Sequence, residues 1–188
     1  MTTKLSDLLT AAAREAGTVV HGISDDQLDA PTPCAEYAVR DLLNHLFHVV
    51  INFQALAAKE AADFSSTPDY LSGDWRTRFE QETRTLAEAW AAPGAEDGTT
   101  GLMNMPARTV GSMALLDLTV HAWDLARATS QPFTPAPTAI PALLPLVAEL
   151  APTGRQMSIF GAPFPAGANP TPFEEILAIT GRNPRWTR

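Results

Sequence analysis

The chain has 188 residues, of which 45% are hydrophobic and 18% are charged, values typical of a globular protein with one well-packed domain spanning residues 1–188. Its formal net charge of −8 disfavours nucleic acid and anionic membrane surfaces as partners. No stretch approaches the roughly 18 consecutive apolar residues that a membrane span requires, so we expect no membrane insertion.

The first half of the chain predicts two long helices, because apolar residues recur at steps of three and four. The first helix is expected over residues 5–23 and the second over residues 39–62, with a short capped turn at residues 24–27. The N-terminus carries Asp7 in its first turns and lacks the basic-then-apolar order of a signal peptide.

Residues 29–34, with the sequence AspAlaProThrProCys, are expected to be extended, because each proline biases the preceding residue out of the α region. Cys34 is the only cysteine, which excludes an internal disulfide and fits a reducing, cytoplasmic location. No basic neighbour lowers its pKa, and Glu36 follows it, so we interpret Cys34 as a packing residue rather than a nucleophile.

The middle of the chain predicts two further long helices separated by a loop. The third helix begins after residues 72–74, and the fourth covers roughly residues 108–130. Between them, residues 93–101 are rich in glycine and are expected to form a long loop. The proline-rich residues 132–137 end the fourth helix.

The C-terminal third predicts two shorter helices. One is expected over residues 140–150, and the other opens with an N-cap at Thr171, a proline and Glu174. Residues 157–160 are the only plausible strand, and we expect residues 152–170 to fold back over the other helices. The predicted fold is therefore all-α, a four-helix bundle with short additional C-terminal helices.

The fourth helix carries an unusual combination of polar residues among apolar ones. Asp117 and His121 are four residues apart, and Asp124 follows three later, so all three project from one face. Such a stripe is costly to bury without partners. A divalent metal ion is the simplest partner, and His45 on the second helix is the best candidate for a third ligand.

A helical wheel of the second helix supports His45 over His48. His45 lies at the border of the apolar arc, whereas His48 lies opposite it and is expected to face water. The alternative for His45 is a half-buried histidine bonded to a backbone carbonyl. His21 has no partner at a useful spacing and is interpreted as structural.

Three protein ligands would leave positions open on a metal ion, the pattern of a reactive site. Asp124 has three possible roles: a fourth ligand, a support for an imidazole, or a partner of Arg127. We place it as a support, because ligating histidines commonly donate their other ring nitrogen to a carboxylate. With nitrogen and oxygen ligands, zinc is the first choice, and nickel or iron is the alternative.

Three blocks of the sequence, residues 32–46, 121–129 and 159–184, occur in an order that resembles one known group. The chain is similar to short actinobacterial metal-binding proteins of the DinB/YfiT-like superfamily, which are related to the N-terminal domain of mycothiol-dependent maleylpyruvate isomerase. The resemblance implies a four-helix bundle with a divalent metal on His45, Asp117 and His121. Relatives often have glutamate where Asp117 stands, and the shorter side chain is expected either to loosen the site or to favour a bridging water.

The resemblance also implies that the metal activates a low-molecular-weight thiol, which in actinobacteria is mycothiol. We therefore expect a thiol-dependent metalloenzyme that acts on a small electrophilic molecule by transfer or isomerisation. The extra C-terminal domain of the isomerase is expected to be absent. Alternatives are a non-catalytic bundle that binds metal or a small ligand, and a metal-free interaction module. The sequence is also compatible with a homodimer.

Overall fold

The computed structural model describes residues 3–35, 37–101 and 103–188, and in these ranges the chain is mainly α-helical. The helices are α1 (Leu5–His21), α2 (Val39–Ala57), α3 (Trp75–Ala91), α4 (Ala107–Ala128), α5 (Ile140–Gln156) and α6 (Pro172–Ile179). A 3-10 turn at Asp25–Gln27 follows α1. Strands β1 (Thr99–Thr100) and β2 (Met105–Pro106) form a short antiparallel hairpin before α4.

Helices α1 to α4 form a four-helix bundle in which α1 and α2 each pack against both α3 and α4. The pairs α1/α2 and α3/α4 therefore lie on the two diagonals. The centre is filled by large side chains with no solvent exposure, including Leu9, Leu43, Leu46, Phe79, Leu86, Leu115 and Leu118. The all-α bundle expected from the apolar periodicity is confirmed.

Several helix starts follow the predicted capping chemistry. Thr171 accepts a hydrogen bond from the backbone N–H of Glu174, and the Glu174 carboxylate accepts from the Thr171 N–H. Before α2, Ala38 has no side-chain oxygen that could cap the helix. The Asp41 carboxylate instead accepts a hydrogen bond from the backbone N–H of Ala38 across 3.0 Å. The expected capped turn after α1 is present, with Gln27 accepting from the Ser24 N–H.

Helix α2 ends at Ala57 rather than near residue 62, because contacts from the later hairpin stop it. Thr100 donates its hydroxyl to the Leu56 carbonyl, and Lys59 adopts a left-handed conformation with φ of 63°. The Lys59 ammonium then donates to the Ala95 carbonyl across 2.6 Å. The hairpin that supplies Thr100 lies partly in the predicted 93–101 loop and was not predicted.

The C-terminal third differs most from expectation. Helix α5 continues to Gln156 instead of residue 150, because buried Val147, Ala151 and Gly154 extend its apolar spacing past two internal prolines. The strand predicted at residues 157–160 is wrong. Ile159 and Phe160 both donate their backbone N–H groups to the Gly154 carbonyl, which wraps this segment around the end of α5.

Helices α5 and α6 pack against each other, and α5 also packs against α4, so the C-terminal third lies beside the bundle. None of the helices in the described ranges is both long and apolar enough to cross a membrane.

Candidate metal centre

Helices α2 and α4 bring His45, Asp117 and His121 together, and we call these three residues the His/Asp cluster. One ligand atom from each lies within 4.8 Å of the others. The Nε2 atom of His121 lies 3.5 Å from the Asp117 Oδ1 atom. The rings of His45 and His121 have centroids 5.0 Å apart and stand nearly perpendicular. This spacing suits coordination of a single ion, and the two-imidazole, one-carboxylate donor set fits a borderline divalent metal.

The far side of the His121 ring is held by Asp124. The Nδ1 atom of His121 donates to Asp124 Oδ2 across 2.9 Å, and Asp124 is fully buried. A proton on Nδ1 leaves the lone pair of neutral His121 on Nε2, which faces Asp117. Arg182 also donates to Asp124 Oδ2, across 3.2 Å. Among the described residues, Asp124 Oδ1 has no hydrogen-bond partner.

The cluster residues have shifted pKa values. Burial lowers the pKa of His45 to about 4, against the opposing attraction of Asp117, so its imidazole is neutral at neutral pH. Burial also lowers the pKa of His121, but its contacts with Asp117 and Asp124 outweigh burial and raise that pKa. Burial raises the pKa of Asp117, yet the contact with His121 and nearby positive charge leave it lowered.

A cleft of about 830 Å³ opens over the His/Asp cluster. The Asp117 side chain retains 31% of its exposure, so small molecules can reach the cluster through the cleft. The walls come from the segment before α2, from α4 and from the C-terminal third. They include Cys34, Tyr37, Arg155, Phe160 and Arg182. A cleft of this size accommodates a small organic molecule.

The prediction that His48 faces water is wrong. His48 is only 7% exposed, its Nδ1 atom lies 3.1 Å from the Tyr70 hydroxyl, and Phe64 packs edge-on against its ring. The connection between α2 and α3 covers this face of α2, and a helical wheel carries no information about such cover. His21 is exposed, and its Nε2 atom lies 3.4 Å from the Glu80 carboxylate.

The three residues predicted as ligands are therefore brought together, and metal binding by them stays a prediction. Asp124 lies against His121 as expected for a supporting carboxylate. The alternative pairing of Asp124 with Arg127 is not found, because Arg127 donates to the Trp186 carbonyl instead. Cys34, interpreted from the sequence as packing, lies at the cleft wall.

Sequence reasoning missed Arg182, which lies beside His121 although 61 residues separate them. The signal that was available is the ThrGlyArg sequence after α6. Gly181 has φ of 88°, its N–H donates to the Ala178 carbonyl, and the Arg182 N–H donates to the Leu177 carbonyl. This Schellman motif reverses the chain at the end of α6 and carries Arg182 to the cleft.

Comparison with known proteins places these features in a family. A family model described as the mycothiol maleylpyruvate isomerase N-terminal domain matches residues 9–126, which include the whole His/Asp cluster but not Arg182. Two proteins described as uncharacterized, from two strains of Mycobacterium tuberculosis, are each 31% identical over 167 residues. The alignment covers 85% of this chain and 87% of each relative. No solved structure matches. The chain belongs to the mycothiol maleylpyruvate isomerase N-terminal domain family.

Proposed function

We propose that this protein binds one divalent metal ion through His45, Asp117 and His121 and uses it with a low-molecular-weight thiol, mycothiol, to act on a small electrophilic molecule. The reaction class is transfer or isomerisation. Zinc is the first candidate for the metal, with nickel and iron as alternatives. The observation that carries the proposal is the opening of an 830 Å³ cleft directly over the cluster.

The protonation states of the cluster support metal binding. His45 is neutral at neutral pH and offers a lone pair without first losing a proton. Asp124 holds one proton of His121 on Nδ1, so the ring offers Nε2 to the ion once the Nε2 proton has left. Asp117 supplies a negative charge that offsets part of the charge of a divalent cation.

A bound divalent ion would supply Lewis acidity, which would lower the pKa of a thiol that enters the cleft. The chain contributes a three-residue ligand set, which leaves positions open for such a thiol. It also contributes the cleft, whose apolar side chains, Leu116, Val120, Ile159 and Phe160, can exclude water from a bound electrophile. The family relationship supports the thiol partner.

Elemental analysis of the purified protein tests the metal site. We expect about one zinc, nickel or iron per chain, and we expect His45→Ala and His121→Ala each to remove most of it. His21→Ala is the matched control, because His21 is exposed and its ring contacts Glu80 instead of a residue of the His/Asp cluster. Full occupancy in His45→Ala would show that His45 is not a ligand.

Mycothiol-dependent turnover tests the enzymatic part. The metal-loaded protein is incubated with mycothiol and a panel of electrophiles, including maleylpyruvate, and loss of free thiol and isomerised product are measured. Turnover that disappears in His121→Ala would support the proposal. A metal-loaded protein that turns over none of them, and shows no thiolate-to-metal band after cobalt substitution, would instead be a non-catalytic binding protein.

A further inference from the structure

Arg182 is a buried cation beside the His/Asp cluster, and it is not one of the three proposed metal ligands. The residue is 8% exposed, and its Nη2 atom lies 3.2 Å from Asp124 Oδ2 and 3.4 Å from His121 Nδ1. Its Nη1 atom donates to the Thr180 carbonyl, and its Nε atom has no hydrogen-bond partner among the described residues. A buried guanidinium is costly without a counter-charge, and the fully buried Asp124 carboxylate supplies one.

Arg182 changes the net charge of the site by one unit, and that change affects which ligands a bound metal ion would favour. Asp117 and Asp124 are two carboxylates, and Arg182 is one guanidinium, so the site carries a single negative charge when both imidazoles are neutral. A divalent ion therefore makes the site singly positive, and one bound monoanion makes it neutral. Without Arg182, the site would already be neutral with the ion alone, and a monoanion would leave an uncompensated negative charge.

We propose that Arg182 sets the preference of the metal centre for an anionic ligand, such as a thiolate, over a neutral one. The inference rests on the proposed function, because it requires a divalent ion on the cluster. Arg182 acts through charge and is a positioning residue, since its guanidinium contacts Asp124 and the ring of His121. Its field is among the causes of the pKa shifts of all three cluster residues.

A second role for Arg182 would be purely structural, fastening the end of α6 to α4. That role predicts that removing the side chain weakens all ligands at the metal equally. The electrostatic role predicts a selective loss for anions. Arg155 offers a matched control, because it is a second cation lining the cleft but donates to the Ile179 carbonyl and contacts neither Asp124 nor His121.

The test uses the full chain loaded with cobalt and titrated with azide, a monoanion, or with imidazole, a neutral ligand, followed by visible absorption. In Arg182→Gln we expect azide affinity to fall by at least about tenfold, as for the loss of one unit charge within about 10 Å at an effective dielectric constant of about 20, with imidazole affinity unchanged. Arg182→Lys, which keeps the charge, should restore most of the azide affinity. Arg155→Gln should change it less.

Two substitutions with opposite effects on the charge of the site provide a second test that does not depend on Arg182→Gln alone. Asp124→Asn should raise azide affinity, and Asp124→Asn with Arg182→Gln should return it towards the wild-type value, because the total charge is restored. Equal azide affinity in all variants, or parallel losses for azide and imidazole, would overturn the inference. Should Arg182→Gln not fold, a rise in azide affinity in Asp124→Asn supports the inference, and an unchanged azide affinity overturns it. Failure of the wild-type protein to bind cobalt would instead overturn the proposed metal site.

Discussion

The ring centroids of His45 and His121 lie 5.0 Å apart, yet the pKa values of the two imidazoles shift in opposite directions because their neighbours differ. Burial holds the pKa of His45 near 4, whereas the carboxylates of Asp117 and Asp124 on either side of His121 raise its pKa above the usual 6.5. As the pH falls, His121 is therefore the first of the two to take up a proton that competes with a metal ion.

We expect the apparent zinc affinity to fall about tenfold per pH unit below the raised pKa of His121, because the ion must displace the Nε2 proton. His45 adds a second competing proton only near pH 4. Titrations against a chromophoric chelator between about pH 6 and 9 measure this dependence. An affinity that stays constant across this range would contradict a protonated His121 in the metal-free protein.

The residues of the cluster were predictable because their relation is mostly local. Asp117, His121 and Asp124 share one face of one helix, and that follows from their spacing alone. Pairing them with His45 was a hypothesis about two helices that the bundle fold brings together. The environment of His48 and the approach of Arg182 depend on segments that arrive from elsewhere in the chain, and no local pattern contains that information.

At the scale of elements, the cleft depends on a close contact between two backbone segments. A Cβ atom on Gly181 would lie 2.7 Å from the Gly161 Cα atom, and Gly181 has a left-handed φ of 88°. Glycine is therefore required at this point for two independent reasons. The contact holds the 157–161 segment, which forms one wall of the cleft, next to the turn that positions Arg182.

We expect Gly181→Ala to lower the free energy of unfolding by about 2–5 kcal/mol, from about 1–2 kcal/mol for the left-handed backbone and about 1–3 kcal/mol for the overlap. Urea unfolding measures the change. Gly17→Ala is the matched control, because no atom lies within 4 Å of its added Cβ inside α1, and it should be neutral or stabilising. Wild-type stability in Gly181→Ala would show that the two segments separate without cost.

Element ends were less predictable than element types. The apolar spacing predicted α1 to α4, but α2 stops early because the Thr100 hydroxyl satisfies the Leu56 carbonyl and Lys59 takes a left-handed conformation. The hairpin of β1 and β2 has only two residues in each strand, too few for an alternating pattern to be visible. The segment at residues 157–160 has a strand-like composition, but its N–H groups are used by the end of α5.

At the scale of the whole molecule, the family match ends at residue 126, within α4. The matched part contains the His/Asp cluster, and the following residues supply α5, α6, Arg155 and Arg182 to the cleft. The bundle thus holds the candidate ligands, and the C-terminal third shapes the space around them.

The candidate ligands come from two different helices, so a bound ion would link α2 to α4 and stabilise the bundle as a whole. With free zinc a hundredfold above its dissociation constant, mass action adds about 2.7 kcal/mol, and we expect the melting temperature to rise by about 5–10 °C. Calorimetry of chelator-treated and zinc-loaded protein measures the shift. His45→Ala keeps Asp117 and His121, both on α4, and therefore should lose the link and most of the shift. A melting temperature that rises equally in His45→Ala would show that the ion binds without joining the two helices.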